Sequence, residues 1–267
     1  MQTDNSIKEM VRDKYAQIAL DTIDCKTTGC CGSHSLPEVY NIMSDDYTKL
    51  DGYVEEADLG LGCGLPTQYA KISEGDTVLD LGSGAGNDVF IARSIVGDSG
   101  KVIGVDMTPE MISRARVNAE KLGYTNVSFL LGEIEAMPVE RNTIDVVVSN
   151  CVLNLIPNKK AAFSEIFRVL KSGGHFSISD IVLKGELNPK LQSPAEMYAG
   201  CVAGAIQMEE YLSTITGTGF VNLRLDKQKK IDIPDSILSQ YLDQQELSEY
   251  RNSDFEIISI TVYAEKP

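Results

Sequence analysis

Three of the six cysteines stand where thiol chemistry could be done: Cys63 in "LGLGCGLP", Cys151 in "SNCVLNL" and Cys201 in "AGCVAGA". Thiolates from separate segments can converge on one soft, thiophilic centre, because sulfur ligands favour soft acceptors. Each cysteine taken alone also reads as a small buried hydrophobe. A second group, Cys25, Cys30 and Cys31 with His34, lies in "DCKTTGCCGSHS". Its spacing admits a zinc site, but adjacent Cys30 and Cys31 cannot occupy two tetrahedral corners without strain. The amino-terminal stretch is too polar and acidic for a signal peptide, and no apolar run reaches the roughly 20 residues that span a bilayer. A cytoplasmic chain with no membrane partner is expected, and there cysteines serve as ligands, redox groups or core residues rather than as permanent staples.

The second chemical signal is "DLGSGAG", Asp80 to Gly86, closing an apolar run "TVLDLG". Glycines at 82, 84 and 86 let the backbone turn and approach a ligand without Cβ obstruction. The dinucleotide fingerprint asks for Gly or Ala three residues after its second glycine, where this chain has Asn87, so a pyrophosphate ligand is disfavoured. Asp106 ends the next apolar run, "KVIGVDM", 26 residues after Asp80, where a carboxylate can accept both ribose hydroxyls. "GEI" (132–134) and "SN" (149–150) close two further runs. Ligands of open α/β sheets bind outside the carboxyl ends of the strands, so the four pieces should converge.

The elements that position them alternate. After an amphipathic amino-terminal helix with Ile7, Met10, Val11, Ile18 and Ala19 near one face, residues from "DTIDCKTTGCC" to "DLGLGCGLPT" show little periodicity and are expected to be loop with short helical turns. From residue 76, strands alternate with helices: "TVLDLG", "NDVFIARSIV", "KVIGVDM", "TPEMISRARVNAEKLG", "VSFLLG", "IDVVVSN", "KAAFSEIFRVL" and "HFSISDIVL". Thr108 is the expected N-cap of the second helix, with Pro109 behind it and Gly123 past its end. The alternation predicts an α/β fold with a parallel sheet covered on both faces. Beyond residue 185 come helical pieces near "SPAEMYAGCVAGAI" and "MEEYLSTITG", then strands "FVNLRLDKQ" and "FEIISITVYAEK", with 186–210 expected as a lid over the sheet's carboxyl edge.

Charge narrows the function. The 267 residues carry 24 Lys and Arg against 39 Asp and Glu, a net charge of −15, which repels a phosphate backbone and excludes a nucleic-acid partner. A small-molecule substrate is expected. Only two histidines are present, and His175 opens a strand, so acid–base work would fall on carboxylates.

The glycine loop, the acid after the second strand and the later strand ends resemble class I S-adenosylmethionine-dependent methyltransferases. That resemblance implies a Rossmann-like, mostly parallel seven-stranded sheet. It further implies that Gly82, Ser83 and Gly84 face the methionine part, Asp80 lies near its amino group, Asp106 holds the ribose, Met107 packs on adenine, and Glu133 with Ile134 receives the adenine edge, Asn150 completing the set. Methyltransferases of quinone or sterol precursors share these features and would treat the cysteines as incidental.

"DCKTTGC", "GLGCGLP", "DLGSGAGND", "VDMTPEM", "SNCVLNL", "CVAGA" and "ISITVYAEKP" are similar, in order and surroundings, to arsenite methyltransferases of the bacterial and archaeal kind, from about residue 20 to the end. The resemblance implies that Cys151 and Cys201 hold trivalent arsenic, that Cys63 completes or exchanges with that pair, and that Cys30 is the redox cysteine, Cys31 remaining its alternative. It implies arsenite and methylated arsenicals as ligands, thioredoxin or a small thiol as reductant, and no resident metal. Some relatives place an aromatic pair before Gly-Cys-Gly, where this chain has Leu61 and Gly62. The corresponding division is a helical arm and Cys-rich loop (1–70), a cofactor-binding core (71–185), and an arsenic-binding lid that also completes the sheet (186–267).

Overall fold

The computed structural model describes residues 4–27, 45–192 and 204–267. Seven strands form one sheet: β1 (Thr77–Leu81), β2 (Lys101–Asp106), β3 (Val127–Leu131), β4 (Ile144–Asn150), β5 (Leu170–Lys184), β6 (Val221–Ile231) and β7 (Glu256–Glu265). Their order across the sheet is β3-β2-β1-β4-β5-β7-β6, and β1 to β5 are parallel.

Period-two alternation puts both faces of this sheet into core. Val78, Val102, Val146 and Val148 enter one apolar cluster, while Leu79, Leu81, Ile103, Val105 and Val147 enter the other. The first is covered by α1 (Asp4–Thr27), α2 (Asn87–Val96) and α3 (Pro109–Lys121), through Ile18, Phe90, Met111 and Ile112. The second is covered by α4 (Lys159–Val169) and α5 (Met208–Gly217), through Phe163, Ile166, Tyr211 and Ile215. Each fully buried aliphatic or aromatic side chain contributes about 1.5–3 kcal/mol relative to exposure, so the two clusters hold the strand ends in fixed relation.

The late strands do join the same sheet, but antiparallel. β7 lies between β5 and β6, pairing with β5 from His175↔Glu265 to Lys184↔Glu256. β6 is an edge strand carrying Lys227, Lys229 and Lys230 and two register irregularities, features that discourage pairing with another chain.

Three local expectations need correction. Helix α1 continues through Cys25 to Thr27, where loop was expected from Asp21: no glycine or proline interrupts the chain before Gly29. Thr108 occupies the N-cap position of α3, but its side chain makes no capping bond; Asp106 Oδ1 instead accepts the Thr108 N–H at 2.8 Å. A further helix, α6 (Gln244–Asn252), follows a capping box in which Asp243 accepts the Glu246 N–H and the Glu246 side chain accepts the Asp243 N–H. Much of the expected helical piece and lid around Cys201, residues 193–203, lies outside the described residues.

Candidate active site

The carboxyl ends of β1, β2, β3 and β4 open into one cavity lined by Asp80, Gly82, Ser83, Gly84, Asp106, Met107, Glu133, Ile134, Asn150 and Cys151. All nine residues expected to bind a cofactor are therefore brought together.

The glycine turn is built by the neighbouring strand. Gly82 and Ser83 donate their N–H groups to Val105 C=O at 2.7 and 3.0 Å, and Gly84 donates to Asp106 Oδ2 at 2.9 Å. Gly84 has φ +50°, and a Cβ there would meet nothing nearer than Met111 Sδ at 4.0 Å, so the backbone at this point borders open space. Both Asp106 oxygens are occupied by backbone donors, which offset part of the rise in pKa that burial imposes. Asp80 is 3 % exposed; burial first, and then Asp88 and Asp106, push its carboxyl well above the usual range. No donor among the described residues bonds to it. An orphaned buried carboxylate beside an open glycine cradle fits an ammonium-bearing ligand such as the methionine end of S-adenosylmethionine.

The nucleoside end is closed by α1. Lys8, Val11 and Tyr15 line the cavity, and Lys8 Nζ reaches Glu133 at 2.6 Å and Glu135 at 2.9 Å. Partial burial pulls the Lys8 ammonium down, but the two carboxylates outweigh it and leave its pKa raised. Arg114 of α3 ties the same helix down by donating to Ala19 C=O.

At the other end stand the cysteines. Cys63 and Cys151 are 0 % and 4 % exposed and belong to the same apolar cluster, with Leu155, Ile181 and Val11. Cys151 follows β4 with φ +60°, a backbone conformation rare outside glycine, and donates its N–H to Ser179 C=O at 2.8 Å. Cys63 donates its N–H to Asn150 Oδ1 at 3.0 Å, and its C=O accepts from Ser259 Oγ at 2.7 Å. The glycines on either side have a steric reason: a Cβ at Gly62 would lie 2.6 Å from Asn150 Nδ2, and one at Gly64 would lie 2.5 Å from Ser179 Oγ. Cys30, Cys31, His34 and Cys201 lie outside the described residues, as do the side chain of Cys25 and hence the zinc alternative.

Sequence reasoning missed Tyr47 and Asp88. Asn150 Nδ2 donates to Gly64 C=O at 2.8 Å, to Tyr47 Oη and to Asp88 Oδ2, and Tyr47 Oη donates to the same carboxylate at 3.0 Å. Burial pushes the Asp88 carboxyl up to about 6, although the bonds from Asn150 and Tyr47 pull it down. An acid in the first turn after the glycine loop was the available signal for Asp88; Tyr47, 103 residues from Asn150, offered none. The amide of Asn150 is thus committed to protein partners while the residue borders the cavity.

Comparison with known proteins follows this geometry. Residues 72–250 match the family described as "Methyltransferase domain". An arsenite methyltransferase of Halobacterium salinarum is 39 % identical over 97 % of this chain and 66 % of its own length. One from Aquipseudomonas alcaligenes is 34 % identical, covering 88 % of this chain and 68 % of its own. The chain belongs to the arsenite methyltransferase family. The crystal structure of an arsenic(III) S-adenosylmethionine methyltransferase from Chlamydomonas reinhardtii superposes with a TM-score of 0.65 at 33 % identity, covering 87 % of this chain and 74 % of that one. The class I methyltransferase fold expected from the strand–helix alternation is the observed one. The chain spans about two thirds of the length of these two curated arsenite methyltransferases. Among the described residues, no helix is long and apolar enough to cross a membrane.

Proposed function

We propose that this chain transfers methyl groups from S-adenosylmethionine to trivalent arsenic held by cysteine sulfurs. The observation that carries the reading is the placement of Cys151 on the wall of the cofactor cavity and of Cys63 in the apolar cluster shared with it.

Gly82, Ser83 and Gly84 would hold the methionine part, with Asp80 beside its ammonium. Asp106 would bind the ribose, Met107 the adenine face, and Glu133 with Ile134 the adenine edge; Asn150 borders the same space. Bound there, S-adenosylmethionine supplies an electrophilic methyl group on a sulfonium. Cys63, Cys151 and Cys201 displace hydroxide from arsenous acid, each sulfur giving up its proton to water formation, and seat the arsenic. The arsenic lone pair is the nucleophile, so the attacking atom has no proton to lose and no histidine base is required. Positioning is the main device, since fixing both reactants replaces a bimolecular encounter with an intramolecular one.

Attack by the lone pair raises arsenic formally to the pentavalent state. Two cysteines, Cys63 and Cys30 or Cys31, return two electrons by closing a disulfide, and thioredoxin or a small thiol reopens it by exchange. Repetition gives methylated arsenicals, a detoxification chemistry. The cytoplasm, kept reducing, suits this cycle.

The test is incubation of the purified chain with labelled S-adenosylmethionine and arsenite. Methylated arsenic formed only with a thiol reductant supports the proposal. Label appearing on a quinone or sterol precursor, with none on arsenic, replaces it with the alternative acceptor class.

A further inference from the structure

The cofactor cavity is strongly one-signed. Asp58, Asp80, Asp88, Asp106, Glu133 and Glu135 line it, and Lys8 is the lysine or arginine among its described lining residues. Lys8 is already engaged by Glu133 and Glu135 at the nucleoside end. Toward the glycine turn, negative charge is therefore unopposed by any side chain of the lining.

Asp80 and Asp88 stand out within this set. Asp80 is 97 % buried by exposure of 3 %, borders the cavity, and receives no hydrogen bond from the described residues. Asp88 is 8 % exposed; its Oδ2 is held by Tyr47 and Asn150, while its Oδ1 is buried without a partner. Leaving two carboxylates this poorly satisfied is costly unless a cation completes them. Burial and mutual repulsion raise the pKa of each, the signature of sites awaiting a positive ligand.

S-adenosylmethionine carries two positive charges and one negative, whereas the product has lost the sulfonium charge: when the S–C bond breaks, its electron pair stays on sulfur. Resting on the methyltransferase reading, we propose that Asp88, fixed by Tyr47 and Asn150 and joined by Asp80, is an anionic subsite that selects charged S-adenosylmethionine over neutral S-adenosylhomocysteine. The site loosens its grip on the nucleoside at the moment the methyl group leaves. The bond network fixes Asp88 from the protein side, so its remaining oxygen needs no rearrangement to serve a cation.

The test is calorimetric binding of S-adenosylmethionine, S-adenosylhomocysteine and sinefungin, whose amine stands in for the sulfonium methyl, to the full chain without arsenite. The wild-type chain should bind both charged ligands more tightly than S-adenosylhomocysteine by at least about tenfold. Asp88→Asn should lose about tenfold for the charged pair and keep its affinity for S-adenosylhomocysteine, a retention that also reports an intact fold. Equal losses for all three ligands would overturn the proposal. If Asp88→Asn binds none of them, the wild-type comparison decides: equal affinity for sinefungin and S-adenosylhomocysteine sinks the proposal. A wild-type chain that binds no nucleoside at all overturns the methyltransferase reading instead.

Discussion

Asn150 holds Cys63 through its side chain and precedes Cys151 in the chain, so one residue sets the relation between two sulfurs 88 positions apart. Its Oδ1 accepts the Cys63 N–H at 3.0 Å, and its Nδ2 donates to the next carbonyl, Gly64, at 2.8 Å. Asn150→Ala releases the Cys63 segment while leaving the glycine turn untouched. Methylation of arsenite should fall by about 100-fold, the scale of a 1 Å misplacement, with a far smaller change in S-adenosylmethionine affinity. Steady-state kinetics beside equilibrium binding separates the two.

Cys151 sits at φ +60°, where glycine is at ease and a side chain is strained. Cys151→Gly should therefore fold with a melting temperature close to the parent while arsenite-dependent turnover disappears. Retained turnover would remove Cys151 from the arsenic ligands.

Two glycine substitutions should fail in different ways. Gly64→Ala drives a Cβ against Ser179 and displaces Cys63, so the KM for arsenite rises while cofactor binding survives. Gly84→Ala fills the open side of the cradle, so S-adenosylmethionine affinity drops about tenfold or more, an expectation set by steric loss of close backbone approach. Titration with each ligand separately distinguishes them.

The latch from Lys8 to Glu133 and Glu135 is partly exposed, and exposed ion pairs contribute about 0–1 kcal/mol. Lys8→Ala should weaken S-adenosylmethionine binding by about two- to fivefold at low salt. The difference from the wild-type chain should vanish near about 1 M salt, where screening is nearly complete.

Asp88 gives the cofactor affinity a pH dependence of defined sign. Its carboxyl, raised by burial to about 6, is charged above that pH and neutral below it. Tyr47 faces it as a donor, Asn150 as a second, and Asp80 and Asp58 as like charges; the ligand α-amino group stays protonated below about 7.7. S-adenosylmethionine affinity is therefore fully developed above pH 6 and lost as pH falls through it. Binding isotherms from pH 5 to pH 7 should show that loss in the wild-type chain and a flatter profile in Asp88→Asn.

Much of the fold was legible because both sheet faces are buried: short apolar runs ending in glycine or acid mark β1, β2 and β4, and Pro109 to Gly123 frames α3. The antiparallel insertion of β7 between β5 and β6 was not, because strand periodicity carries no information about partner or direction. Helix α6 buries no residue and so shows no apolar stripe; only Asp243 and Glu246 announce it. In the site, residues at strand ends were found from local pattern. Tyr47 and Lys8 act on partners 103 and 125 positions away, a relation that only the folded chain creates.

The amino-terminal helix lies across the nucleoside end and is fastened there by one lysine, whereas Cys63 and Cys151 hang from Asn150, Ser179 and Ser259 in the sheet. Spent nucleoside can thus be exchanged by parting two solvent-edge ion pairs, without breaking the bonds that seat the sulfurs. A half-finished arsenical stays docked while the donor is renewed, which turns the enzyme toward successive additions in one residence rather than release after each.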